Sequence, residues 1–85
     1  MNKTILIVDD DDILRKALTA GLRGEGFDVI SSDSAENASD VLNRVSVDAI
    51  ILDRMMTGMD GLTFLRALRG AGNTTPVLML TALSG

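Results

Sequence analysis

The chain has no cysteine and no histidine among its 85 residues. Without thiols there can be no disulfide, no thiolate metal site and no thiol nucleophile. Without imidazole, the usual zinc ligands and the commonest general base are missing as well. Tryptophan and tyrosine are absent and phenylalanine occurs only twice, which argues against stacking on nucleic-acid bases. A net charge of −4 and a pI near 4.4 also disfavour a phosphate backbone as the partner of this segment. No apolar run approaches the ~20 residues of a membrane span, and the N-terminus has no signal-peptide form. A cytoplasmic chain with no membrane partner is the expectation.

What is present is apolar and acidic. The hydrophobic fraction of 46% is ordinary for a folded protein, and the length allows at most one small domain. A chain of this size buries only a little over ~60% of its unfolded surface, so it has limited stability to spare. Its dominant feature is Ala49-Ile50-Ile51-Leu52, an unbroken apolar run that ends in Asp53 and then in a glycine-punctuated loop, Arg54-Met55-Met56-Thr57-Gly58-Met59-Asp60-Gly61. Runs without alternation suit a central parallel strand, which is covered on both faces. The first strand repeats the plan, with Ile5-Leu6-Ile7-Val8 running into Asp9-Asp10-Asp11-Asp12. Acids at the ends of such strands sit at the rim of the sheet, where open α/β folds place their ligands. Three or more carboxylates are therefore expected in one pocket.

Between these points strand and helix patterns alternate. Residues 4–8 read as a strand, followed by a helix capped by Asp11 or Asp12 and running to about Arg23, with Ile13, Leu14, Ala17, Leu18, Gly21 and Leu22 on one stripe. Phe27–Ser31 reads as a second strand. Ser34 is a plausible cap for a helix from Ala35 to about Val45, whose inner face holds Ala38, Val41, Leu42 and Val45. The third strand spans roughly 48–53, and a third helix from Asp60 or Gly61 turns Leu62, Leu65 and Leu68 inward with Phe64 at the edge of the stripe. Pro76 opens a fourth strand, 77–81, apolar throughout and expected to be buried on both faces. Short connections between alternating strands and helices predict a parallel sheet with right-handed crossovers and helices on both sides. The chain ends five residues after Leu80, so the outer edge of 77–81 is expected either to mark a fragment or to pair with a second copy.

Simpler readings apply to many of these residues. Asp11 and Asp12 fit the start of a helix, where acids meet the helix dipole. Gly58 and Gly61 read as turn residues, the methionines as loop and core filler, Arg54 as a solvated or locally paired charge at the site rim, and Lys3 and Lys16 as surface charges. Magnesium is the ion that an all-oxygen donor set suits. Clustered carboxylates repel one another, so without a cation at least one should have a raised pKa.

Taken together, Ile5-Leu6-Ile7-Val8-Asp9-Asp10, Ile51-Leu52-Asp53-Arg54-Met55-Met56 with Gly58-Met59-Asp60-Gly61, and Pro76-Val77-Leu78-Met79-Leu80-Thr81-Ala82 resemble the receiver domain of two-component response regulators. The resemblance implies a flavodoxin-like, doubly wound parallel sheet. It is expected here in incomplete form, as four strands in the order 2-1-3-4 with three helices, so that residues 1–85 are the N-terminal part of a receiver domain. It implies a phosphoacceptor switch rather than an enzyme, with a sensor histidine kinase as donor and Asp53 as acceptor. Asp9, Asp10 and Asp53 would hold Mg2+ with the backbone carbonyl of Met55, and the Thr81 hydroxyl would hydrogen-bond the phosphoryl group.

The chain departs from the family in two places. Thr57 stands where the family commonly has proline, which predicts a less pre-ordered loop. The family's fourth helix, fifth strand and fifth helix lie beyond this sequence, and with them a lysine that pairs with the phosphoryl group and an aromatic switch residue. An output domain, which in many relatives binds DNA, is likewise outside it. Impaired signalling and a homo-oligomer formed through the open edge of 77–81 are the corresponding expectations.

Two alternatives stay open: a receiver-like module that only associates, and an aspartyl-nucleophile phosphatase using Asp9 with Asp11. A nucleotide-binding enzyme would need a glycine-rich turn where Asp9–Asp12 stand. An EF-hand loop would need glycine at Leu14.

Overall fold

Four short apolar segments pair side by side in parallel in the computed structural model, which describes residues 2–80. They are β1 (Thr4–Val8), β2 (Asp28–Ser32), β3 (Ala49–Asp53) and β4 (Val77–Leu80), and they lie in the order β2-β1-β3-β4. Three helices connect them: α1 (Asp12–Gly24), α2 (Ala35–Arg44) and α3 (Gly61–Gly70). Each helix begins at a side chain that accepts its free N–H groups: Asp11 for α1, Ser34 for α2 and Asp60 for α3. The expected order and alternation are what the chain adopts, with β2 shifted one residue along.

The pleat divides the sheet into two faces. Leu6, Val8, Ile50 and Leu52 are buried against Ala35 and Ala38 of α2 and Phe64 and Leu68 of α3, with Val77 and Met79 of β4 packed at the margin. Ile5, Ile7 and Val29 form the opposite face, with Leu18 and Leu22 of α1 against them and Ala49 and Ile51 partly covered. Helices therefore lie on both sides, as a parallel sheet requires.

Four expectations about packing are corrected. The fourth strand is not buried on both faces: Leu78 is 62% exposed. It shares the side of Ile51 by register, and α1, the helix on that side, packs on β1 and β2. The α1 stripe is narrower than its spacing suggests. Only the Leu18–Leu22 row reaches the sheet, whereas Ile13 is 84% exposed and Ala17 and Gly21 are exposed beside it. Val45 is the extended cap residue after α2 and is exposed rather than inward. Phe64 sits in the core, not at its edge, because the inner row of α3 runs through Gly61, Phe64 and Leu68.

Among the described residues no helix is long and apolar enough to cross a membrane. The expected contribution of Thr81 lies outside the described residues.

Candidate functional site

Val8 pairs with Leu52, so the next residues in each strand direction, Asp9 and Asp53, emerge together at the carboxyl edge of the two central strands. Asp10 follows in the β1–α1 loop. One oxygen from each of Asp9, Asp10 and Asp53 falls within 4.8 Å of the others, and among the described residues this is the cluster able to hold a metal ion. These are the three carboxylates expected from the sequence.

Their surroundings differ. Asp9 is fully buried. Its N–H donates to the Ser32 carbonyl (3.1 Å), its Oδ1 accepts from the Asp11 N–H (2.8 Å), and its carbonyl accepts from Arg15 Nη1 (2.8 Å). Its Oδ2 is buried and receives no hydrogen bond among the described residues. Burial pushes the Asp9 carboxyl above the ordinary carboxylate range; the Asp11 N–H opposes this, and the charges of Asp53 and Asp11 add to the rise. Asp10 is exposed and shifts the other way. Its Oδ2 accepts from the Thr57 N–H (2.8 Å) and the Thr57 hydroxyl (2.9 Å), and those donors hold its carboxyl below the usual range. Asp53 is half-buried, and its Oδ1 accepts from the Met55 N–H (3.2 Å), which leaves Oδ2 without a backbone donor among the described residues.

The loop that carries Met55 is shaped by two glycines with different jobs. Gly58 turns the chain at φ +90°, a conformation that side-chain-bearing residues rarely adopt. Gly61 is not a turn residue as expected but a contact. It begins α3, its N–H donates to the Arg54 carbonyl (2.8 Å), and a Cβ there would lie 2.3 Å from the Asp53 carbonyl oxygen. Glycine lets the start of α3 press directly on the end of β3.

Two residues at the site were not assigned there from the sequence. Arg15 ties the Asp9 carbonyl and pairs with Asp12; the i,i+3 spacing of Asp12 and Arg15 was the available signal. Thr57 was read as loosening its loop. Instead its two donors fasten that loop to Asp10, across 47 residues of sequence.

The donor set fits magnesium. It consists of carboxylate oxygens at the mouth of a sheet, and one of them, Asp9 Oδ2, is buried with no donor of its own. A buried acceptor without a partner is costly unless a cation or water satisfies it.

A parallel α/β sheet in the order β2-β1-β3-β4, with acids closing its first and third strands, is a flavodoxin-like arrangement, and the comparisons with known proteins agree. The model of the response regulator receiver domain matches residues 5–85, and the chain belongs to that family. It is 42% identical over 82 residues to the DNA-binding response regulator MtrA of Mycolicibacterium smegmatis, a match covering 96% of this chain and 36% of that protein. The chain thus spans about a third of the length of the curated relatives it matches. The receiver domain of the Francisella response regulator 1452 superposes with a TM-score of 0.92 at 30% identity, covering 99% of this chain and 69% of that one. The N-terminal domain of a response regulator receiver protein from Methanoculleus marisnigri gives 0.89 at 36% identity, covering 96% and 68%.

Proposed function

We propose that this chain, a receiver domain of a two-component response regulator, accepts a phosphoryl group on Asp53 from a sensor histidine kinase, with Mg2+ held by Asp9, Asp10, Asp53 and the Met55 carbonyl. The observation that carries this reading is the convergence of three carboxylates around the partnerless, buried Asp9 Oδ2. Residues 1–85 then supply the metal- and acceptor-bearing part of a receiver.

Asp53 Oδ2 is the nucleophile in this reading, because Oδ1 is engaged by the Met55 N–H. It attacks phosphorus in line with the leaving imidazole. One O–P bond forms as the N–P bond of the donor breaks, and an acyl phosphate is left on Asp53. A bound magnesium ion would neutralise charge on the transferring group. The chain's own part is positioning. Arg15 fixes the backbone at Asp9, Gly61 fixes the end of β3, and Thr57 fixes Asp10. The Thr81 hydroxyl is the proposed phosphoryl contact.

The phosphatase alternative has less support. Asp11 Oδ1 accepts from the Ile13 and Leu14 N–H groups (3.0 and 3.1 Å), so this side chain already serves as the cap of α1. Association through β4 is a separate proposal, supported by the exposure of Leu78 on an edge strand. Receiver domains are signalling switches rather than enzymes, and what the full-length relatives do beyond this domain belongs to them.

The test is intact mass after incubation with magnesium and acetyl phosphate, beside Asp53→Ala. One added phosphoryl group that is absent from the variant is expected. A folded wild-type chain that gains no mass would overturn the acceptor reading, and a gain that survives Asp53→Ala but not Asp9→Ala would move the nucleophile to Asp9.

A further inference from the structure

We infer that Thr57 is a positioning residue for the cation site: its N–H and its hydroxyl both donate to Asp10 Oδ2, and so present Asp10 Oδ1 as the oxygen with lone pairs left to give. This rests on the reading of the Asp9–Asp10–Asp53 cluster as a magnesium site.

Asp10 needs such a device more than its neighbours do. Asp9 is fixed by burial and by the Asp11 N–H, and Asp53 is fixed in β3 with the Met55 N–H on its Oδ1. Asp10 is exposed, lies in a loop between β1 and α1, and would otherwise sample several rotamers. A carboxylate oxygen has two lone-pair sites. Two donors at 2.8 and 2.9 Å occupy both sites of Oδ2. The side chain is then held in one orientation, and metal coordination is left to Oδ1. The hold comes from the β3–α3 loop, which also carries Met55, so one contact sets two proposed ligands relative to each other. Donors behind a ligating carboxylate orient it and raise affinity in this way. Neither donor is a requirement of the fold: Thr57 is exposed in a loop and caps no helix.

The hydroxyl can be removed alone. Thr57→Val keeps the size and the N–H, whereas Thr57→Ser keeps the hydroxyl and loses only a methyl group. Magnesium is titrated into the chain and its two variants, with amide NMR shifts as the binding readout and hydrogen exchange at residue 57 as the second measurement. The expected result is at least about tenfold weaker magnesium binding in Thr57→Val, the loss of one hydrogen bond to a charged group behind a ligand. Thr57→Ser should stay within about twofold of wild type by the same reasoning. Exchange of the residue 57 amide in the wild-type chain should slow or hold steady as magnesium is added, because the contact persists in the loaded site. Equal affinities in all three chains, or exchange that accelerates with magnesium, would overturn the inference and leave the metal site standing. A folded wild-type chain that shows no magnesium-dependent shifts would remove the metal site itself, and this inference with it.

Discussion

Asp9 is the residue on which folding and binding make opposite demands. A fully buried carboxylate with one partnerless oxygen, facing Asp53 and Asp11, is disfavoured as an anion. Its raised pKa means that deprotonation costs the folded chain stability. The relative stabilisation it gives is complete below the unfolded value near 3.8 and is lost as pH rises through the higher folded value. Asp10 behaves inversely. Its lowered pKa contributes stability above 3.8 that is lost as pH falls through its folded value. Thermal melts without divalent cations should therefore show stability rising as pH falls toward 3.8 from above, with that rise absent in Asp9→Asn. The amide removes the charge at nearly constant shape, so Asp9→Asn should raise Tm without magnesium. It should also abolish the gain in Tm that magnesium gives the wild type. A destabilised Asp9→Asn would show that the carboxylate is a structural asset rather than a metal ligand held at a cost. Asp9, Asp10 and Asp53 were legible because apolar strands ending in acid leave those acids nowhere to go but the sheet rim. Thr57 was misread because its role depends on a hydroxyl meeting a side chain 47 residues away, which no local pattern encodes.

At the scale of elements, the junction of β3 with α3 is the tightest constraint on the acceptor. A Cβ on residue 61 would lie 2.3 Å from the Asp53 carbonyl oxygen and 2.9 Å from the Arg54 Cα, both backbone atoms that cannot swing aside. Gly61→Ala must push α3 away from β3, breaking the Gly61 N–H bond to Arg54 and shifting Asp53. A loss of about 1–3 kcal/mol in chemical denaturation is expected, in the range of overpacking a tight contact, together with weaker magnesium binding. Gly21→Ala is the contrast. It is exposed inside α1 with nothing within 4 Å of the added carbon, so it should gain roughly 0.5–1 kcal/mol from helix propensity. Equal effects at the two positions would mean that the close approach at Gly61 carries no energy. The elements themselves were readable, since apolar runs, caps at Ser34 and Asp60 and glycine breaks act within a few residues. Which side of a helix meets the sheet was not. The α1 spacing allows two adjacent rows, and only the position of the helix over β1 and β2 decides that Leu18 and Leu22 are covered while Ile13 is 84% exposed.

On the scale of the whole molecule, the sheet order leaves β4 at an edge among the described residues, and α1 covers only half of one face. Leu78 is 62% exposed there, in register with the half-buried Ile51 and near the half-buried Ala49. An edge strand offers unpaired backbone groups in addition to that apolar side, and such edges promote pairing with another chain. We expect the chain to self-associate through 77–80. Its net charge of −4 opposes the approach of a second copy. Surface repulsion is screened within about 8 Å at physiological ionic strength, whereas apolar burial is not weakened by salt. Association should therefore strengthen as sodium chloride is raised, which is the reverse of what an ion-paired interface would do. Light scattering at micromolar concentration should report a mass above that of a monomer, growing with salt, and Leu78→Lys should return it to a monomer with an unchanged circular dichroism spectrum. A monodisperse wild-type monomer at every salt concentration would refute the edge as an interface. Association that persists in Leu78→Lys would move the contact to another surface, and the exposed Ile13 at the start of α1 would then be the next position to substitute.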